Sequence, residues 1–216
     1  MNHSVQLRWI AEAEARSVRE IARHRQADLS PCNRPTVRGR LGWLRRLVSR
    51  LVWDFPTDGD CQRALVTVLI TDIVASTRLV VDIGDQQWRA LLDRHDDAIR
   101  LQIRRHGGRE IQNRGDGFLT TFDTPARAVR CAAAIAASVR CGVHVGEMDH
   151  RGKEISGIAV NIAARIAAVA GPSEAFVSRT VRDLVTGSGL AFEDRGLHRL
   201  RGLSEEIHLY AMRALC

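Results

Sequence analysis

Four residues of this chain have the types and spacing to act on a phosphate ester. Asp72 closes the apolar run ALVTVLIT within LITDIVAST. A carboxylate at a strand end can hold a divalent cation, and the N–H groups of Val74 through Thr77 (Ser76 among them) could cradle phosphates at a helix start. Asp116 lies in GDGF, where Asp-Gly is also an ordinary turn signal. Taken alone, each aspartate reads first as a turn or cap residue. Together, at one end of neighbouring strands, they could bind two metal ions for in-line attack on phosphorus. Asn161 and Arg165 lie four apart and share a helix face. An amide and a guanidinium there could orient a ribose and neutralise a pentavalent phosphate, or form a solvated polar stripe.

The elements needed to position these residues follow from periodicity. Residues 64–71 read as a strand buried on both faces. Trp88, Leu91, Leu92, His95, Ile99 and Ile103 fall on one side of a helix over 86–105, which Gly107 and Gly108 stop. Residues 109–123 read as a hairpin around Gly115-Asp116-Gly117. Thr124-Pro125 starts a helix from Ala126 to about Val139, and a strand follows near 142–147. This order, βαββαβ, predicts an α+β domain with a ferredoxin-like core. An alanine-rich helix over 158–170, a strand AFVS, a helix after Ser178 and two closing strands complete it. In a ferredoxin-like sheet the strand ending at Asp72 neighbours the hairpin that carries Asp116.

Two parts are expected: a helical segment and linker over 1–60, and a compact domain over 61–216. In the first, 4–25 is moderately amphipathic. The stretch 40–53 sets Leu44, Leu47, Val48 and Leu51 apart from Arg45, Arg46 and Arg50. Such a helix could lie weakly on a membrane surface, or pack against the domain or a second subunit.

Composition narrows the class. The 216 residues are 45% hydrophobic and 26% charged, a globular balance. No apolar run approaches the roughly 18 residues of a membrane span, and no secretory signal opens the chain, so a cytoplasmic protein, at most peripheral to a membrane, is expected. The net charge of +7 rests on arginine, with Lys153 the sole lysine. Because the arginines alternate with acids, and no nucleic-acid motif occurs, nucleic acid is not an expected partner. Cys32, Cys61, Cys131, Cys141 and Cys216 show neither metal spacing nor a disulfide framework. His95, His144 and His198 do not cluster.

Taken in order, LITDIVAST, GDGFLTTF, GIAVNIAARI and FEDRGLHRLRG resemble the catalytic domain of class III adenylate and guanylate cyclases, most closely the compact bacterial, actinobacterial-type members. The resemblance covers about 64–212. It implies that Asp72, Asp116 and the Ile73 carbonyl coordinate two Mg²⁺ or Mn²⁺ ions. It further implies that Asn161 positions the ribose and that Arg165 stabilises the transition state. Arg201, where the family usually has lysine, and Arg140 would contact phosphates. The metal pair and the Asn/Arg pair of one site would come from different protomers, so a homodimer making cyclic AMP and pyrophosphate from ATP is expected.

The chain departs from the family at the purine-reading positions. Gln112 stands where adenylate-type members have lysine, and Glu154 where they have aspartate; guanylate-type members carry glutamate and cysteine there. ATP is preferred, because Glu154 keeps an acceptor for adenine's amino group, while the Gln112 amide can face either purine and leaves GTP open. The connection over 138–142 is short, so either the preceding helix ends early or the strand is curtailed. Ala75 replaces the usual glycine and Ile70 the usual phenylalanine. These departures keep two alternatives open: a catalytically silent nucleotide-binding or regulatory module, and, further off, a basic adaptor acting through 1–60.

Overall fold

The computed structural model describes residues 62–213 apart from 114, 152 and 153. The expectations for 1–60, with the helix at 40–53, lie outside the described residues, as do Cys32, Cys61 and Cys216.

Strand β1 (Gln62–Asp72) is built from β-branched and leucine residues, and its alternation feeds two cores. Leu69 enters one; Val66 and Val68 enter the other. It is followed by α1 (Ser76–Ile83), α2 (Asp85–Arg105), β2 (Arg109–Asn113), β3 (Phe118–Phe122), α3 (Pro125–Ile135) and β4 (Arg140–Arg151). Then come β5 (Glu154–Ser156), α4 (Ile158–Val169), β6 (Ala175–Ser178), α5 (Arg179–Leu184), β7 (Phe192–Arg199) and β8 (Glu206–Met212). The eight strands form one sheet in the order β2-β3-β1-β4-β6-β8-β7, with β5 on β4. Strands β2, β3, β1 and β4 stand side by side and antiparallel, the ferredoxin-like arrangement expected. Only β4 and β6 pair in parallel among the described strands.

One face of the sheet is covered by α2, α3 and α5. Trp88, Ile99, Ile103, Val129, Ala132 and Ile135 pack there on Leu69, Phe118, Phe122 and Val143. The other face takes α4, whose Ala159 and Ala163 lie on Val66, Val68 and Met148. Farther along it, Ile166 and Ala170 meet Phe176, Leu200 and Leu209.

Two boundaries differ from expectation. Helix α3 stops at Ile135 rather than near Val139. The N–H and hydroxyl of Ser138 both donate to the Ile135 carbonyl, at 3.0 Å each, which turns the chain. Val139 is buried after that turn, and β4 runs its full twelve residues from Arg140. The short connection is therefore made by the helix ending early, and the strand is not curtailed. Helix α1 in its full extent and the three-residue β5 are the elements not anticipated.

Candidate active site

The carboxyl end of β1 and the tip of the β2–β3 hairpin meet at one edge of the sheet. Phe118 N–H donates to the Thr71 hydroxyl at 3.0 Å, and Ile73 N–H donates to the Asp116 carbonyl at 3.1 Å. Gly117 makes this approach possible. A Cβ there would stand 2.5 Å from the Thr71 carbonyl oxygen and 3.8 Å from the Asp72 Cα. The sequence thus folds the hairpin flat against the end of β1, and Asp72 and Asp116 share one edge.

Further contacts fix the hairpin tip. The Ser76 hydroxyl, in the first turn of α1, donates to Asp116 Oδ2. Gly115 N–H donates to Asn113 Oδ1 at 2.9 Å, an Asx-type turn. The Asn113 amide in turn donates to Asp96 of α2. Asp96 also pairs with Arg100 at 3.3 Å, and Arg100 reaches Glu110 at 3.0 Å. Burial pushes the Asp96 carboxyl above its usual range, against the lowering effect of Arg100 and Asn113. Asp96, Asn113 and Thr71 were not singled out from sequence. Asn113 two residues before a glycine is the signal that could have found the turn; Asp96 reads as one more charge on an amphipathic helix.

On the β4 side, Asp72 faces Arg140 in the strand register. The guanidinium holds a single carboxylate oxygen, Oδ2, through Nε at 2.8 Å and through Nη2. Its Nη1 lies 3.4 Å from the carbonyl of Ala168, in the last turn of α4. Arg140 is thus in the site, paired with the carboxylate. Ile73 is buried, and Thr77 is exposed in the first turn of α1. Ala75, the residue before that helix, adopts φ 58°, the left-handed conformation that favours glycine.

Asn161 and Arg165 sit on the exposed side of α4. No hydrogen bond or ion pair joins either residue to Asp72 or Asp116 among the described residues. Ile158, 60% exposed, and Val169, 40% exposed, flank them. Gln112 is exposed on β2 opposite Leu119. Glu154 opens β5 across from Arg151 of β4. Arg201 is exposed in the turn after β7, next to the buried Leu200.

No group of three or more His, Cys, Asp or Glu suited to a metal occurs among the described residues. What the edge brings together is the carboxylates of Asp72 and Asp116. Such hard oxygen donors fit Mg²⁺ or Mn²⁺, which keep several waters and take few protein ligands.

No protein-family model matches the chain. Among curated proteins, a putative adenylate cyclase 3 of Rhizobium meliloti is 28% identical over 165 residues, 69% of this chain, and the match spans only 28% of that relative. Among solved structures, the adenylyl cyclase CyaB from P. aeruginosa superposes with a TM-score of 0.67 at 19% identity, over 73% of this chain and 100% of that one. An adenylate/guanylate cyclase/hydrolase from Silicibacter pomeroyi gives a TM-score of 0.63 at 26% identity, over 71% of this chain and 98% of that one. In sequence and in fold, the described domain resembles the catalytic domain of the class III adenylate and guanylate cyclases.

Proposed function

We propose that this chain is a nucleotidyl cyclase that converts ATP to 3′,5′-cyclic AMP and pyrophosphate at a site completed by two copies of the chain. The observation that carries the reading is the Ile73–Asp116 backbone bond beside Gly117, which puts two carboxylates at one sheet edge next to a helix start.

Asp72, Asp116 and the Ile73 carbonyl would hold two divalent cations. When bound, these supply acidification of the ribose 3′-hydroxyl and charge neutralisation at the triphosphate. The Ser76 hydroxyl holds the Asp116 carboxylate and the Asn113 turn holds the hairpin tip, so that carboxylate itself needs little reorganisation on binding. At the start of α1, Ser76 and Thr77 lie ahead of the first helical bonds, which run from the Arg78 and Leu79 N–H to the Ala75 carbonyl, and their N–H groups would meet the phosphates.

Asn161 and Arg165 would act in the partner's site, the amide on the ribose and the guanidinium on charge developing at the α-phosphate. Support comes from their position. They lie on a solvent-facing stripe of α4 shared with Ile158, Ala164, Ala168 and Val169, a surface of small and apolar groups suited to burial by another subunit. Gln112 and Glu154 would read the purine, and Arg201 would meet the terminal phosphates. The Arg140–Asp72 pair and the Gln112 amide favour a second reading, a nucleotide-binding module without turnover.

The test is product formation by the purified chain from ATP or GTP with Mn²⁺ or Mg²⁺, beside Asp72→Ala. Cyclic AMP that falls by on the order of 10³-fold in the variant is expected. Cyclic GMP alone would overturn the substrate. No product from a folded dimer would favour the silent module.

A further inference from the structure

We infer that Arg140 stands in for a cation at Asp72 while nucleotide is absent, so that a divalent ion binds poorly until a polyphosphate draws the guanidinium away. The inference rests on the cyclase reading of Asp72 and Asp116.

Three observations carry it. The pairing is set by the sheet: Asp72 and Arg140 are opposite residues of the β1–β4 ladder, so the two side chains meet without any loop having to order. The guanidinium grips one oxygen twice, leaving Asp72 Oδ1 without a hydrogen bond among the described residues. And Arg140 has a second anchor, the Ala168 carbonyl at the C-terminal end of α4, where partial negative charge favours a cation.

The electrostatics follow directly. Asp72 and Asp116 offer two negative charges, and Arg140 cancels one. A dication approaching Asp72 therefore meets a nearly neutral carboxylate and a positive group a few ångströms behind it. A nucleoside triphosphate carries more negative charge than one aspartate and offers bidentate oxygens to the same planar fork. Once Arg140 turns to it, Asp72 regains its charge. Cation and nucleotide then bind with mutual reinforcement although they share no ligand at Asp72. The device would keep the site closed to free divalent ions in the absence of substrate.

The experiment is binding of Mn²⁺ alone, without nucleotide, to the full chain, followed by electron paramagnetic resonance. The proteins are wild type, Arg140→Gln, Arg140→Lys and, as the zero, Asp72→Asn. Removing a partly exposed ion-pair partner should make Arg140→Gln bind Mn²⁺ about five- to tenfold tighter than wild type. Arg140→Lys keeps the charge but loses the fork, so a gain of about twofold is expected. Should the glutamine variant fail to fold by circular dichroism, the lysine variant carries the test. Equal or weaker Mn²⁺ binding by the folded variants would overturn the inference and make Arg140 a residue that orients Asp72. Absence of Mn²⁺ binding in all the proteins would instead remove the carboxylate pair as a cation site, and the inference with it.

Discussion

Asp116 is held from three sides: its carbonyl by the Ile73 N–H, its carboxylate by Ser76, and its turn by the Asn113 side chain. Of these, Ile73 and Ser76 belong to the stretch LITDIVAST that sequence reading singled out, one for its carbonyl and the other as part of a phosphate cradle, while Asn113 does not. The Asn113 turn is local, but the Ile73 and Ser76 contacts need a strand end and helix start to meet a hairpin tip some forty residues away, which no local pattern reveals. Asn113→Ala should therefore cost activity more than stability, with turnover falling about tenfold and the unfolding free energy by about 1 kcal/mol. Steady-state kinetics beside urea unfolding would check this. Ala75 is a second case at this scale. Its φ of 58° costs a non-glycine residue about 1 kcal/mol, so Ala75→Gly should stabilise the fold by somewhat less, read from the same urea midpoints. Two histidines carry a pH signature. Burial lowers His95 and His144 each to about 4. His144 Nδ1 still meets the Ser178 hydroxyl at 2.8 Å, while His95 Nε2 is buried with no hydrogen-bond partner among the described residues. Each binds a proton more readily unfolded than folded, so stability is full above about pH 6.5 and declines as pH falls toward 4. Urea unfolding at several pH values should show the slope, and His95→Leu should remove part of it.

At the scale of elements, the alanine-rich α4 has its match on β4. A Cβ on Gly142 would lie 2.3 Å from the Ala163 carbonyl and from the Ala167 N–H, and one on Gly146 would lie 2.8 Å from the Ala159 Cβ. Backbone rests on backbone here, which is why both sides use small residues. The alanine-rich helix was legible in the sequence but its seat was not, because GVHVG reads as an ordinary strand. Gly142→Ala should force α4 away and cost about 3 kcal/mol, seen as a lowered urea midpoint. The hairpin, α2, α4 and the closing strands were legible from periodicity and from glycine and proline signals. The end of α3 was not, since Ala136 and Ala137 are good helix formers and only the Ser138 bonds to Ile135 stop the helix.

For the whole molecule, one sheet carries the proposed half-sites in different places: carboxylates at the β1–hairpin edge, and Asn161 with Arg165 on the outer stripe of α4. Among the described residues no ion pair or hydrogen bond joins the two groups, and the proposal that two chains complete each site makes their cooperation intermolecular. The order of motifs made the domain legible, because each sits at a strand end, a hairpin tip or a helix start that a ferredoxin-like sheet must place. The expectation of a homodimer rests on resemblance alone, for a dimer surface has no period of its own. Arg165→Ala alone should lower turnover about 10²- to 10³-fold, as expected when a transition-state cation is removed.

The most direct test of a shared site is to mix Asp72→Asn with Arg165→Ala. Each variant alone should form almost no cyclic nucleotide. If a site draws its carboxylates from one chain and its arginine from the other, half of the dimers in an equal mixture carry one intact site. Activity should then return to about a quarter of wild type. A mixture as inactive as its parts, from two variants that exchange subunits and a wild type that turns over, would contradict the account.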